Sequence, residues 1–519
     1  MLYQIVAVLR QLIPFAYTII VALGFGAIFR KKFSESVAPA FMIQMLLMII
    51  CGMAFSRISY GIIFEVAIAI IFIAIKWHTI KDYVITKDYG IPVFVVFYLL
   101  LMILNEGKYF GGFDEFSHWG MFLKETLRLD NLYCVSDVNM SHKDYVPAII
   151  MFEALWCKLT LRYREADAYR SLQMLGFSIV LPVISGVCYQ KEDSEAKFDK
   201  KKLINTFSKF IILMIVPIFY VGNSFYHTIY QDAIFGFLIY YCVYTVFSKG
   251  WSLEFRTFML SISSSIMIMA KMTGMAILPM IWLLFVIAYR REIRERKIFG
   301  IVHMALPLAV PAVLWVVINK FITYYVPKSG NIQSYDGLSL SKVLSIITHD
   351  GTVTYQSQVE SSYINTIFKE SLFAGLPYAA IVIASILIIF FLSRKDIIYG
   401  VWTVATGTLY AFVFWLLYLM SFSEYEAKVL ASHERYLNSM LMAIVFVLFM
   451  ILFQIEVSKR YISYILTVTV YAALASSSNY IQLFPSSITG ETGGSREDTY
   501  AIPAEAINAE ATKMNQCSS

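Results

Sequence analysis

The stretch FMLSISSSIMIMAKMTGMAILPMIWLLFVIA, residues Phe258–Ala288, is apolar along nearly its whole length and carries a single charge, at Lys271. A helix crosses a hydrocarbon core of about 30 Å with roughly 20 apolar residues, so this stretch is too long for one span of ordinary tilt. Because Lys271 and Gly274 lie near its middle, we predict two membrane helices joined by a tight turn. In the alternative interpretation, Lys271 extends toward the lipid headgroups.

The rest of the chain has the same apolar character. Of 519 residues, 59% are hydrophobic and 15% are charged, a composition typical of integral membrane proteins. We predict an all-α polytopic membrane protein with about 13–14 transmembrane helices. The net charge of +6 lies mainly in short loops, so we expect no nucleic-acid partner, and the six cysteines lack the spacing of disulfide or zinc sites. The expected spans are residues 3–29, 36–54, 59–75, 91–105, 168–189, 204–221, 230–248, 256–271, 274–289, 299–319, 372–392, 398–420, 437–457 and 461–478.

The basic loops orient these helices. Lys and Arg in short loops favour the cytoplasmic side, and all basic loops of this chain can face the cytoplasm only if the run 145–161 does not cross the membrane. That run is short for a span and contains Glu153 and Lys158. We therefore predict an outer loop at 106–170 with two interfacial helices, at 116–129 and 145–161. We expect a multi-pass protein of a bacterial plasma membrane, with its functional face outside.

The predicted helices divide the chain into five regions. Residues 1–90 form accessory transmembrane helices, and residues 91–320 form a core that includes the outer loop. Residues 321–371 form a second outer loop, a candidate lid because it is long and rich in Gly, Ser, Tyr and Gln. Residues 372–478 form C-terminal helices, and residues 479–519 form an outer flexible tail rich in Ser, Gly and Glu.

The first outer loop contains the most reactive segment of the chain. It reads Phe113-Asp114-Glu115-Phe116-Ser117-His118-Trp119, and His142-Lys143-Asp144-Tyr145-Val146-Pro147 follows. On a helix that begins near Asp114, the Asp114 and His118 side chains share a face, so a general base can be built there. Two alternatives stay open. In the first, Asp114 does no more than cap the helix. In the second, Asp114, Asp144, His118 and His142 bind a metal ion, although their spacing is not that of a zinc hydrolase.

Further charged residues interrupt apolar sequence elsewhere. Asp232 begins a predicted span and would be costly if buried without a partner, so we expect it to face a partner or a cavity. Arg435, in His433-Glu434-Arg435-Tyr436, could bind a phosphate through two hydrogen bonds, and its alternative role is an interfacial Arg–Glu anchor. The predicted orientation puts five charged residues at one membrane face: Asp114, Lys143, Asp232, Lys271 and Arg435.

The order of these motifs resembles that of a known superfamily. The outer Asp-Glu-x-x-His at Asp114–His118, followed by Lys143 and Tyr145-Val146-Pro147, is similar to the first outer loop of the C-type (GT-C) membrane glycosyltransferases. The closest resemblance is to the protein O-mannosyltransferase and lipid A aminoarabinose transferase group. Arg170, Tyr230-Gln231-Asp232 and Ala270-Lys271-Met272-Thr273-Gly274 continue it in a similar order. The resemblance implies a GT-C-like fold for the core.

The resemblance also implies an activity and roles for residues. The expected reaction is transfer of a sugar from a polyprenyl-phosphate donor to a glycan, lipid or protein acceptor at the outer face, with inversion. Asp114 would be the catalytic base, with Glu115 and His118 holding Asp114 or the sugar. The leaving phosphate needs cations, for which Lys143, Lys271 and Arg435 are the candidates. Sugar or acceptor binding is expected at Trp119, Asp144, Tyr145, Asp232, His433 and Glu434. No cofactor is required, and a divalent metal is compatible with the motifs without being indicated by them.

Two other classes of membrane protein fit parts of the sequence. A lipid-linked oligosaccharide flippase or other transporter would place ionisable residues near the membrane midplane. A polysaccharide polymerase would place its main charged site in a large loop late in the chain, whereas the loop at 321–371 carries only scattered charges. Trp119 and Tyr145 could likewise be aromatic residues of the membrane interface instead of sugar-stacking surfaces.

Overall fold

The protein is built from α-helices that are long and apolar. The computed structural model describes residues 2–186, 199–220, 224–326, 340–351 and 353–454. Within these residues, nine helices are long and apolar enough to cross a membrane, or ten if the bent pair Ser59–Ile75 and Trp77–Val84 is one span. Three shorter apolar helices accompany them: Gly90–Leu104, Gln231–Phe247 and Tyr378–Leu392. The chain is therefore a multi-pass α-helical membrane protein, as predicted.

The principal helices are numbered here in chain order. They are α1 (Leu2–Phe29), α2 (Phe33–Phe55), α3 (Ser59–Ile75), α4 (Gly90–Leu104), α5 (Gly120–Leu129), α6 (Ala148–Leu159), α7 (Glu165–Ser185), α8 (Lys200–Ile215), α9 (Gln231–Phe247), α10 (Leu253–Ala270), α11 (Gly274–Glu295), α12 (Ile298–Tyr325), α13 (Leu340–Thr348), α14 (Gln356–Phe368), α15 (Tyr378–Leu392), α16 (Ile397–Met420) and α17 (His433–Gln454).

The helical hairpin predicted from the long apolar stretch is confirmed. Helix α10 ends at Ala270 and α11 begins at Gly274. A side-chain carbon at Gly274 would lie 3.2 Å from backbone atoms of Met267 and Ile268, so glycine allows this close approach. The predicted span 461–478 and the tail 479–519 lie outside the described residues.

Helix α9 forms the centre of the bundle. Each of its residues is buried, and it packs against α7, α10, α11 and α17. At its C-terminal end, the Arg256 guanidinium donates hydrogen bonds to the carbonyl oxygens of Thr245, Val246, Ser248 and Trp251. These bonds satisfy carbonyl groups that a helix end leaves unpaired. The opposite end of α9 carries Asp232.

Four of the loops predicted to be cytoplasmic, at 30–35, 76–87, 249–256 and 290–297, meet at one end of the bundle. Lys32 Nζ donates to the carbonyl oxygens of Tyr83 and Thr86, at 2.9 and 3.0 Å. Trp251 Nε1 donates to Glu35 Oε1 at 2.8 Å, and Arg296 pairs with Glu254. The predicted grouping is therefore confirmed for these four loops, whereas the side of the membrane that they face stays a prediction.

The first outer loop differs from its predicted form in two respects. A π-helical turn, Glu115–Trp119, precedes the amphipathic helix α5, where an α-helix was expected from Asp114. Helix α6 has only 12 residues, in agreement with a run that does not cross the membrane. Its predicted interfacial position is corrected, however, because all residues from Ala148 to Cys157 are buried and the helix packs among α2, α5, α7 and α10. Its apolar residues up to Cys157 are therefore covered by protein.

The second outer loop is partly helical. Helix α12 continues to Tyr325, and α13 and α14 occupy much of the described remainder. Tyr363 of α14 is buried beside Tyr418 and donates a hydrogen bond to the carbonyl oxygen of Ala411, at 2.8 Å. Helix α14 is thereby held against α16. Residues 327–339 and 352 lie outside the described part of this loop.

Candidate functional site

Four charged side chains from four separate segments meet at the N-terminal end of α9. Asp114 lies in the loop after α4, Asp232 in the first turn of α9, Lys271 between α10 and α11, and Arg435 in the first turn of α17. Arg435 Nη1 donates to Asp114 Oδ2 at 2.7 Å, and Arg435 Nε lies 3.1 Å from Asp232 Oδ2. Lys271 Nζ pairs with Asp232 Oδ1. We call these four residues the helix-end network.

The network confirms that these four residues share one face of the bundle. It also argues against some of the alternative roles left open for these residues. Asp114 makes no capping hydrogen bond with its side chain, and Lys271 pairs with Asp232 instead of extending to the headgroups. Asp232 has the partner that its burial required. Arg435 binds two aspartates across the bundle and is not an Arg–Glu anchor.

Exposure increases across the network from Asp232 to Asp114. The side chain of Asp232 is 7% exposed, those of Arg435 and Lys271 are 17% and 20% exposed, and that of Asp114 is 24% exposed. Asp232 therefore serves as a buried anion that holds two cations together, and the surrounding protein strengthens these pairs relative to water. Asp114 is the carboxylate that a molecule from outside the bundle can reach.

Tyrosine rings enclose the two cations. The Arg435 guanidinium carbon lies 4.7 Å from the centroid of the Tyr230 ring, and Lys271 Nζ lies 4.2 Å from that of Tyr436. Both are cation–π distances. The Tyr230 hydroxyl also accepts a hydrogen bond from the backbone N–H of Asp114, at 3.3 Å. The sequence predicted neither tyrosine as part of the site. Their position beside Asp232 and Arg435 in the chain was the available signal.

Glu115 positions the loop that carries Asp114. Its side chain is fully buried, and Oε2 accepts hydrogen bonds from the backbone N–H groups of Gly111 and Gly112, both at 2.8 Å. Oε1 accepts from the Ile229 N–H at 2.8 Å and from the Tyr169 hydroxyl at 3.0 Å. Burial raises the pKa of Glu115, and these hydrogen bonds oppose that rise. Glu115 thus ties the Asp114 loop to the segment before Asp232, and of its two predicted roles these contacts fit holding Asp114.

His118 belongs to an aromatic cluster beside Asp114. Its ring centroid lies 4.5 Å from that of Trp119 and 5.2 Å from that of His142, and the His142 and Tyr145 rings stack at 4.7 Å. Burial lowers the pKa of His118 to about 4, although the charge of Asp114 opposes this shift. The imidazole is therefore neutral at pH 7. Among the described residues, Asp114, Asp144, His118 and His142 do not bring three metal-ligand atoms together.

Lys143 does not join the network. Its ammonium group donates to the carbonyl oxygen of Ser136 in the same loop, and within the described residues it makes no ion pair with Asp114 or Asp232. Trp119 is buried and Asp144 is half-buried in the loop that contains the aromatic cluster. Of the three predicted phosphate-binding cations, the structure thus brings two to Asp114.

His433 and Glu434 lie beside the network but contact a different residue. His433 Nε2 lies 2.9 Å from Glu370 Oε1, and the ligand atoms of Glu370, His433 and Glu434 lie within 4.8 Å of one another. The sequence did not single out Glu370, since it stands in a loop without a motif. Its contact joins the end of the second outer loop to the first turn of α17.

The site therefore offers a reachable carboxylate next to two cations at the ends of buried helices. Such a group can accept a proton while the cations stabilise negative charge that develops nearby. Comparisons with protein-family models, with curated protein sequences and with solved structures found no match to this chain.

Proposed function

We propose that this protein is a membrane glycosyltransferase of the GT-C type. It would move a sugar from a polyprenyl-phosphate donor to a glycan, lipid or protein acceptor at the outer face of a bacterial plasma membrane. The observation that carries the proposal is the helix-end network, in which the partly exposed Asp114 contacts Arg435 while Lys271 shares Asp232 with the same guanidinium. A lipid-linked donor cannot leave the bilayer, so its phosphate stays at headgroup height. An enzyme must bind the phosphate there, where its membrane helices end.

In the proposed reaction, the acceptor hydroxyl oxygen attacks the anomeric carbon as the bond from that carbon to the phosphate oxygen breaks. The acceptor proton passes to Asp114, and the electron pair of the broken bond stays on the lipid phosphate. Arg435 and Lys271 would stabilise that phosphate. Attack from the face opposite the leaving group inverts the anomeric carbon. In this scheme Glu115 positions Asp114, and Asp232 keeps both cations in place.

Arg435 retains a donor for this purpose. Its Nη1 and Nε face Asp114 and Asp232, whereas Nη2 meets only the Tyr436 hydroxyl among the described residues, at 3.5 Å. A hydrogen bond of that length is weak. A phosphate oxygen could therefore replace it without first breaking either carboxylate contact. The planar guanidinium suits phosphate oxygens better than a lysine would.

The charges also favour a transferase over a flippase. Transport proteins typically bind their substrates near the membrane midplane, in broken helices. In the network, Asp232 and Arg435 belong to first helical turns and Lys271 to an inter-helix turn. A site at helix ends is suited to a reaction at headgroup height.

The proposal is tested by comparing cells that carry the wild-type chain, Asp114→Asn or Asp137→Asn at equal membrane abundance. Asp137 lies in the same outer loop, and its side chain is 92% exposed, so it is a matched control. We expect Asp114→Asn to remove one surface glycan while its polyprenyl-phosphate donor accumulates, and Asp137→Asn to change neither. Unchanged glycans and lipid-linked sugars in Asp114→Asn cells would refute the assignment and favour the flippase or polymerase alternatives.

A further inference from the structure

We infer that Glu370, His433 and Glu434 bind a divalent metal ion. Glu370 lies just beyond α14, whereas His433 and Glu434 open α17. One ligand atom from each lies within 4.8 Å of the other two. This inference concerns the metal alone and is independent of the proposed glycosyl transfer.

The orientation of the His433 ring supports a cation between His433 and Glu370. His433 Nδ1 lies 2.7 Å from the carbonyl oxygen of Leu430. A carbonyl oxygen can only accept a hydrogen bond, so Nδ1 carries the proton, and in the neutral ring Nε2 has a lone pair. That lone pair faces Glu370 Oε1 at 2.9 Å. Two lone pairs at this distance repel each other unless a proton or a metal ion lies between them.

The hydrogen bond from Nδ1 is also the usual support of a metal-binding histidine. Ligating histidines commonly donate their second ring N–H to a backbone carbonyl or a carboxylate, which fixes the ring and its tautomer. The Leu430 carbonyl has this role here, from outside the group of ligands. Glu370 is held in a similar way, because its Oε2 accepts a hydrogen bond from Thr366 Oγ1 at 2.7 Å.

Glu434 completes the ligand set. Its side chain is exposed, and among the described residues it takes part in no ion pair. One imidazole nitrogen and two carboxylate oxygens suit Zn²⁺ or Mn²⁺. Three protein ligands leave a coordination position open, as in sites that bind a further ligand.

A second His–Glu pair provides an internal comparison. His349 Nε2 lies 3.0 Å from Glu360 Oε1, but no third ligand completes a group there among the described residues. Its histidine is 59% exposed, against 17% for His433. His349 and Glu360 thus form an exposed His–Glu pair without a third ligand among the described residues. A variant of this pair therefore measures how much metal ion any exposed His–Glu pair would bind.

The test uses the purified full-length chain, stripped of metal and titrated with Co²⁺ and then Zn²⁺ at neutral pH. We expect one Co²⁺ per chain with an absorption spectrum of mixed nitrogen and oxygen ligands, which Zn²⁺ displaces. His433→Gln and Glu434→Gln should each weaken binding by about ten-fold or more, whereas Glu360→Gln should not. Because Glu434 is exposed, its substitution removes a ligand without disturbing the packing.

Two results would overturn the metal site. The first is the absence of stoichiometric Co²⁺ binding to the wild-type chain, which would mean that a proton alone bridges His433 and Glu370. The second is equal binding by the wild-type chain and Glu434→Gln. Thermal unfolding of each metal-free variant verifies that it is folded. None of these readouts depends on glycans or lipid donors, so failure here leaves the proposed function untouched.

Discussion

At the scale of single residues, Asp114 and Glu115 are adjacent carboxylates with opposite surroundings. Glu115 is fully buried and accepts hydrogen bonds from three backbone N–H groups and a tyrosine hydroxyl, whereas Asp114 is partly exposed and pairs with Arg435. The first arrangement fixes the fold of a loop. The second leaves a carboxylate within reach of a substrate.

The two residues should therefore respond differently to amide substitution. Glu115→Gln turns an NH₂ group toward buried donors, and we expect it to lower the free energy of unfolding by about 1–3 kcal/mol. Asp114→Asn should leave the thermal unfolding midpoint nearly unchanged while it abolishes transfer. Thermal unfolding of both purified variants measures this difference. If Asp114→Asn were the more destabilising change, Asp114 would be the structural member of the pair.

His118 predicts a dependence of stability on pH. Burial lowers its pKa in the folded protein to about 4, against about 6.5 in an unfolded chain. The unfolded state thus takes up a proton first as the pH falls. The stability that the neutral ring provides is complete above about pH 6.5 and is lost as the pH falls toward about 4.

We expect the unfolding midpoint of the wild-type protein to fall across this pH window, and that of His118→Gln to fall less. His349→Gln serves as the control, because His349 is exposed and the hydrogen bond with Glu360 raises its pKa. An unaltered pH dependence in His118→Gln would show that His118 does not contribute.

At the scale of helices, α6 contains the buried carboxyl group of Glu153. Glu153 is fully buried, and neither of its side-chain oxygens has a hydrogen-bond partner among the residues that the structure describes. Burial raises its pKa well above the usual range, and the charge of Glu115 adds to the rise. These surroundings favour the neutral form of the carboxyl group. An unsatisfied polar group in such a position destabilises the fold.

Replacing Glu153 with an apolar side chain of similar length should stabilise the protein. We expect Glu153→Met to raise the free energy of unfolding by about 1–3 kcal/mol, since it removes the unsatisfied group and retains the packing. Thermal unfolding of the purified variant measures the change, with Glu153→Gln as a polar control that should give no gain. A destabilised Glu153→Met protein would mean that the carboxyl group is needed where it stands.

The sequence predicted most helices well but misplaced α6 of the first outer loop and missed the π-helical turn before α5. Apolar runs such as Phe258–Ala288 identify membrane helices because the bilayer requires their length and composition. The run in α6 is shorter and contains Glu153 and Lys158, and this pattern does not distinguish a helix at the membrane interface from one buried among other helices. The π-helical turn at Glu115–Trp119 was also beyond reach, since its cause lies in tertiary contacts such as that of Glu115 with Ile229.

At the scale of the whole molecule, the charges separate toward two ends. Basic loops around Lys32 and Arg296 meet at one end, and the helix-end network lies at the other end of α9. The sequence predicted this separation. It also predicted that Asp114 and Arg435, which are 321 positions apart, lie at the same face. It could not predict that Lys143 contacts Ser136, or that Glu370 meets His433. Those contacts depend on loop geometry.

The orientation in the membrane is tested by labelling with a membrane-impermeant thiol reagent. In a cysteine-free variant, we expect Asp137→Cys to be labelled in intact cells and Arg291→Cys only after permeabilisation. Both side chains are at least 90% exposed, so access depends on the side of the membrane. The reverse pattern would place the network in the cytoplasm and contradict transfer at the outer face.

We propose that the helix-end network receives the phosphate of the lipid donor. The most direct test measures binding of a polyprenyl monophosphate to the purified full-length chain and its variants. We predict that Arg435→Gln weakens binding by about ten-fold or more, as expected for loss of charge-assisted hydrogen bonds. Arg128→Gln, which alters a half-exposed arginine of the first outer loop, should bind as the wild-type chain does. Equal binding by Arg435→Gln and the wild-type chain would contradict the claim.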